Sequence, residues 1–325
     1  MALSKLQFRP GVNREVTSYT NEGGWFDIDH VRFQKGFPEK IGGWQKSSNN
    51  SFLGTCRALH PWVSLDRDKF IGVGTNLKYY IDEGGFYNDI TPLRLTTSAG
   101  DVTFAATNGS STLTVSDTSH GALVNDFVTF SGAASLGGNI TADVLNQEYQ
   151  IIEIVGSNSY KIEARTAGTP VYEITVDGQL APAYVVANGS DTGNGGSSVV
   201  GAYQINTGLD VTVSGAGWGA GTWSRGGWGS ASTDPQVGNM LRLWSHDNFG
   251  EDLLMNVRDG GIYYRDSTNS IETRAVDITT LAGSLSAPTV AKQIMVSDRD
   301  RHVLAFGCDS QSNPGVQDPV LIRFS

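Results

Sequence analysis

Acids stand close together in the sequence in pairs such as Asp27 with Asp29, Glu251 with Asp252, and Asp298 with Asp300. Two carboxylates held roughly 5–9 Å apart across a sugar can hydrolyse a glycosidic bond, one as acid and the other as base or nucleophile. Sequence supplies no such distance, and acids at these spacings are most often turn or surface residues. The five histidines, His30, His60, His120, His246 and His302, contain no i, i+4 pair, and Cys56 and Cys308 are the only thiols. No four-ligand zinc pattern results.

Other catalytic signatures are missing too. The Ser-x-Asp-x-Gly-x-x-Trp box of sialidase-type propellers does not occur, nor does a nucleophile elbow in a strand–turn–helix setting. The glycine clusters fit neither a P-loop nor G-x-G-x-x-G, and no helix follows them to supply a dipole. The alternating charges of Asp298-Arg299-Asp300-Arg301 fit a solvated hairpin end better than a calcium loop. No catalytic residue, cofactor-binding residue or metal ligand is assigned, and no cofactor is expected.

The elements that would position any such residues read as β throughout. Glycine is the compositional outlier, 40 of 325 residues, where average usage is roughly 7%. Val, Ile, Thr, Tyr, Phe and Trp recur in short runs bounded by Gly, Asn, Asp and Ser, the pattern of many strands joined by tight turns. A strand is expected within Trp25–Phe33, with turns at Gly36 and Gly42-Gly43. Phe70–Thr75 and Leu77–Asp82 read as a hairpin closed by Glu83-Gly84-Gly85. A similar unit returns in Asp252–Val257 and Ile262–Asp266, and again in Arg301–Gly307 and Val320–Phe324. Repeats of this kind resemble propeller blades.

The fold class expected is therefore all-β, a β-propeller-like body interrupted by an inserted small β-sandwich or barrel. Residues 1–96 form the first part of the body and 97–184 the insert, whose strands are Thr112–Val115, Phe127–Phe130, Tyr149–Ile154 and Ser159–Glu163. Residues 185–200 form a Gly/Ser/Asn-rich linker, too polar to order itself and so expected to be mobile. Residues 201–325 complete the body; within them the tryptophans of Gly215–Gly229 alternate with glycines, as at close backbone approaches. The chain stops at Ser325 directly after a strand, so truncation, or completion of the sheet by another chain, is expected.

Net charge is −10 and the pI about 4.9, which argues against a sequence-reading nucleic-acid binder with a basic face. An acidic wall would instead repel phosphates and let DNA slide past. The start, MALSKLQFRPG, lacks the apolar core of a signal peptide, and no run of about 18 apolar residues predicts a membrane span. With lone thiols the expected pattern, folding in a reducing cytoplasm follows.

Several stretches resemble phage tail nozzle proteins, the packaged-DNA stabilisation subunits of short-tailed phages. They are Phe8-Arg9-Pro10-Gly11-Val12-Asn13-Arg14, Gly23–Phe33, Gly36–Trp44, Ile71–Asn76, Asp89-Ile90-Thr91-Pro92, and the long run Leu243-Trp244-Ser245-His246-Asp247-Asn248-Phe249-Gly250-Glu251-Asp252-Leu253-Leu254. The insert resembles accessory β domains of phage structural proteins. The resemblance implies a non-enzymatic β-propeller subunit, six copies of which ring the DNA exit channel beneath the portal and adaptor. Such a homo-oligomer would retain packaged double-stranded DNA, conduct it during ejection, and offer a surface to tail fibres or spikes. It would be assembled in the bacterial cytoplasm and reside in the virion tail. Family members are usually longer than this chain. Glu251, Asp252, Asp298 and Asp300 are the acids expected to face the DNA channel. The rival readings are a receptor-binding or fibre-docking tail protein with a sugar-contacting insert, and a propeller glycosidase using the acid pairs.

Overall fold

A computed structural model describes residues 9–15, 17, 19–43, 45–168, 183–208, 241–297 and 299–325. Asp298 and the Gly215–Gly229 stretch lie outside the described residues. The chain divides into two compact units, Met1–Asn49 and Asn50–Ser325. In the first, Val31–Gln34 pairs antiparallel with Phe37–Lys40. The two-residue turn between them places Lys35 and Gly36 both at positive φ, the backbone that a type I′ hairpin requires. The strand expected over Trp25–Phe33 is confined to its end. Trp25 instead makes a single bridge to Val12, and the Asp27 carboxylate pairs with Arg14 at 2.5 Å, which holds that stretch in irregular turns.

The second unit contains a stack of antiparallel sheets. The first is a four-stranded meander of Cys56–Val63, Lys69–Thr75, Tyr79–Glu83 and Phe86–Asp89. The second repeats the plan with Trp244–Phe249, Asp252–Val257, Ile262–Arg265 and Val276–Asp277. A three-stranded third sheet joins Gln293–Val296, Val303–Phe306 and Ile322–Phe324, and a short hairpin, Asp309–Ser310 with Asn313–Gln317, sits inside its last connection. These are blade-like units: the sequence units at 70–82 and 252–266 are the inner hairpins of the first two, and the unit at 301–324 supplies the middle strand and one edge strand of the third. The outer strands were not legible because Cys56–Val63 and Phe86–Asp89 carry polar and charged residues among the apolar ones.

Strand alternation explains the stacking. Side chains of successive residues point to opposite faces, so Tyr79 and Ile81 of the first meander meet Leu253, Met255 and Trp244 of the second in one core. Leu254 and Ile262 of the second meet Ile294, Val296 and Ala305 of the third in another. A strand buried on both faces reads as a continuous apolar run, as Leu253-Leu254-Met255 does.

The insert is a sandwich of two four-stranded sheets. One has the order Glu148–Gln150, Phe127–Ser131, Val200–Gln204, Leu93–Thr96; the other Glu153–Gly156, Ser159–Glu163, Thr112–Ser116, Thr103–Ala106. Phe104, Leu113, Val128, Phe130, Tyr160 and Tyr203 lie in its single core. The run Tyr149–Ile154, expected as one strand, turns a corner from one sheet to the other: Ile151 is buried and donates to the Asp126 carbonyl, while Ile152 faces solvent. The first sheet also takes strands from either side of 97–184, so the sandwich spans both expected edges.

Residues 185–200 are packed into this sandwich rather than left as a loose linker. Val199 and Ala187 belong to its core. The Asp191 carboxylate accepts from the backbone N–H groups of Gly138, Asn139, Ile140 and Asn188 at 2.8–3.0 Å. Gly195 sits at φ +91°, where a Cβ would come 2.7 Å from the Phe104 ring. Its glycine serves a close approach, which composition alone reads as flexibility.

Candidate functional site

The seam between the first two meanders carries a cluster of polar and aromatic side chains. Gly74 has no side chain because Trp244 lies against it: an added Cβ would be 2.5 Å from the indole. The indole N–H donates to the Thr75 carbonyl at 2.7 Å. Tyr79 crosses to His246, its hydroxyl 2.9 Å from Nδ1, and His60 reaches Asn248 at 2.6 Å. The two imidazoles lie 4.8 Å apart, and Trp62 stacks on His60 at 5.6 Å. Burial, followed by the neighbouring His60, pushes His246 down to about 4, so both rings can pack without mutual repulsion.

The same run ties the second sheet to the third. Ser245 Oγ accepts from the Ile294 N–H at 3.1 Å and Asp247 from the Val296 N–H at 2.8 Å. These side chains satisfy N–H groups that a strand edge would otherwise leave unpaired. At the end of the seam, Glu251 accepts from the Leu65 N–H at 2.6 Å. Asp252 accepts from the Tyr264 hydroxyl at 2.6 Å and from the Ser267 N–H and hydroxyl, each at 2.8 Å. The turn at Gly250 lies beside Arg301, 3.7 Å from the position of a Cβ. Two turns, 64–68 and 249–252, thus meet at one end of the stack, with residues 299–302 beside the second, and between the two turns opens a cleft lined by Trp62, Phe70, Glu83, Glu251 and Arg265.

A second polar cluster locks the insert to the stack. Lys78, with its side chain 4% exposed, stands 2.7 Å from Asp89 and 2.6 Å from Glu148. Its ammonium also lies 4.6 Å from the centroid of Phe127. Arg274 of the second meander approaches the same carboxylates at 3.4 and 3.7 Å, and Gln204 donates to Glu148. Burial alone would raise the Asp89 carboxyl. Lys78 and Arg274, with hydrogen bonds from Lys78 and Thr91, outweigh it and hold the group below the usual carboxylate range. One lysine therefore joins residues from the first meander and the insert, with a second cation from the next sheet.

No protein-family model and no curated protein matches the chain. Among solved structures it is similar to "Phage phi92 endosialidase". The identity is 13%, the match covers 83% of this chain and 36% of that one, and the TM-score is 0.19. The chain thus spans just over a third of that protein's length. A likeness at that score carries no argument about function.

The sequence-expected acids are only partly brought together. Glu251 and Asp252 share the turn end of the stack with Asp300, which is exposed, while Asp298 is outside the described residues. Both Glu251 and Asp252 are engaged in hydrogen bonds that hold turns, and Asp27 and Asp29 bind Arg14 and His30 on the surface of the first unit. Among the described residues, no group of His, Cys, Asp and Glu is arranged to hold a metal ion, and Cys56 and Cys308 are free thiols. Sequence reasoning missed Lys78, Glu148, Arg274 and Arg265. Lys78 alone left a signal, a lysine between apolar neighbours in Leu77–Ile81.

Proposed function

We propose that this chain is a structural subunit of the tail nozzle of a short-tailed bacteriophage. The observation that carries the reading is what the Leu243–Leu254 run does. It is the longest stretch resembling nozzle proteins, and Trp244, Ser245, His246, Asp247, Asn248, Glu251 and Asp252 each bond to a neighbouring strand or turn. A motif spent on joining sheets fits a protein that acts by shape and stiffness rather than by turnover. The acid-bearing turns at one end of the stack fit a surface past which DNA moves without adhering, since like charge repels phosphates.

On this reading several copies, six by the family resemblance, ring the exit channel in the virion tail below portal and adaptor. They retain the packaged DNA and present a surface to fibres or spikes. The test is genetic. Particles assembled without this chain should fill with DNA and then lose it, and adding the purified chain should restore retention. Particles that keep a full genome without it would contradict the proposal.

A further inference from the structure

The cleft at the end of the first seam has a volume of about 210 Å³, below the ~300–1,000 Å³ of sites for drug-sized molecules and suited to a single ring. Its floor is apolar, with the Trp62 and Phe70 rings 5.5 Å apart and Ile271 beside them. Around the floor stand Glu83 and Glu251, with Asp66 and Asp68 on the turn above. A carboxylate only accepts hydrogen bonds, so these groups ask a ligand for donors.

Arg265 asks for the opposite. It is 8% exposed and lines the cleft. Its Nε is buried without a hydrogen-bond partner among the described residues, and its NH2 group reaches the carbonyls of Asn269 and Ser270 only at 3.4 Å. A buried donor left unmatched is costly, so a ligand that brings an acceptor gains there. A cation would suit the carboxylates but face the guanidinium. An anion would suit the guanidinium but face four carboxylates. A hydroxyl both donates and accepts, and the C–H face of a pyranose packs against aromatic rings as other flat apolar surfaces do.

We propose that this cleft binds one ring of an uncharged saccharide. The site lies between two sheets of the stack, not in the insert, and its existence does not depend on a place in a phage tail. Binding needs no chemistry: the sugar is held on Trp62 and Phe70, donates hydroxyls to Glu83 and Glu251, and accepts from Arg265.

The test is ligand-observed NMR and titration of the full chain with maltotriose, fully N-acetylated chitotriose, glucuronic acid and trilysine. Saturation transfer to one of the two neutral sugars, absent with glucuronic acid and trilysine, is the expected result. Glu83→Gln should weaken that binding about tenfold, the loss expected for a charged hydrogen bond, with an unchanged melting temperature. Trp62→Ala should abolish it, and Trp62→Phe should retain part of it. Failure of both neutral sugars to bind would overturn the proposal, as would binding indifferent to Glu83→Gln and Trp62→Ala. Tighter binding of trilysine would replace the sugar with a basic peptide and overturn it as well.

Discussion

The insert and the sheet stack use the same strands and turns, yet they are held together differently. Among the described residues the insert closes one core of twenty, whereas the two seams between sheets of the stack contain nine and seven, and a further four, Phe127 of the insert among them, lie where the first meander meets the insert. The insert sets its own sheet-to-sheet crossing, the Tyr160 and Tyr203 hydroxyls 2.7 Å apart, inside a large apolar core, whereas in the stack the crossings by Trp244, His246, Asp247 and Asn248 accompany much smaller apolar seams. An interior that is large and closed stabilises itself, while thin shared interiors make each sheet depend on the next. The contrast locates where damage should stay local and where it should spread.

The largest effect is expected inside the insert. Phe130 is 1% exposed and meets Phe104 edge-on at 4.9 Å; Phe130→Ala should cost about 3–5 kcal/mol. Chemical denaturation should show an early transition confined to the insert, with hydrogen exchange in the second and third sheets unchanged. Simultaneous loss of protection throughout would erase the distinction between the two regions.

Next comes the lock between them. Lys78→Met leaves Asp89 and Glu148 with Arg274 as their remaining cation and should cost about 3 kcal/mol, since removing one partner strands buried charge. Adding Glu148→Gln should recover part of that loss. Hydrogen exchange should rise on both sides of the junction, in Tyr79–Glu83 and in Phe127–Ser131 together, which separates this variant from Phe130→Ala.

A smaller effect depends on pH and belongs to the stack alone. His246, facing His60, Tyr79 and Asp247, is held at about 4 against an ordinary 6.5, so the unfolded chain takes up the proton first as pH falls. The packed neutral ring contributes its full stability above about pH 6.5, and the contribution is lost as pH falls toward 4. The loss should be about 2 kcal/mol after allowance for partial solvent access. His246→Gln should flatten the melting-temperature profile in that window and leave the steeper loss below it, where Asp89 and Asp191 become protonated.

The inner hairpins and the all-β build were legible because strand pattern and turn chemistry are local. Tyr79–Glu83 and Asp252–Val257 announce themselves by apolar runs between Gly- and Asp-bearing turns. The lock was not legible, since Lys78, Glu148 and Arg274 lie far apart in sequence and meet only through stacking. The glycine-rich segment misled for a physical reason: glycine is chosen both where the chain is free and where another group comes too close for a Cβ. Gly195 is the second kind, and Gly195→Ala should cost about 1–2 kcal/mol through positive φ and the clash with Phe104. A neutral outcome there, read by thermal melting, would return residues 185–200 to the status of a linker. The acids were readable as residues but not as partners: nothing in Glu251-Asp252 shows that one holds Leu65 and the other Ser267.

The most direct test of a tail nozzle role is electron microscopy of intact virions labelled with antibody fragments raised against residues 99–168 of the insert. The proposal predicts label ringing the tail just below the head. Virions free of label, with the protein also missing from their mass-spectrometric inventory, would contradict it.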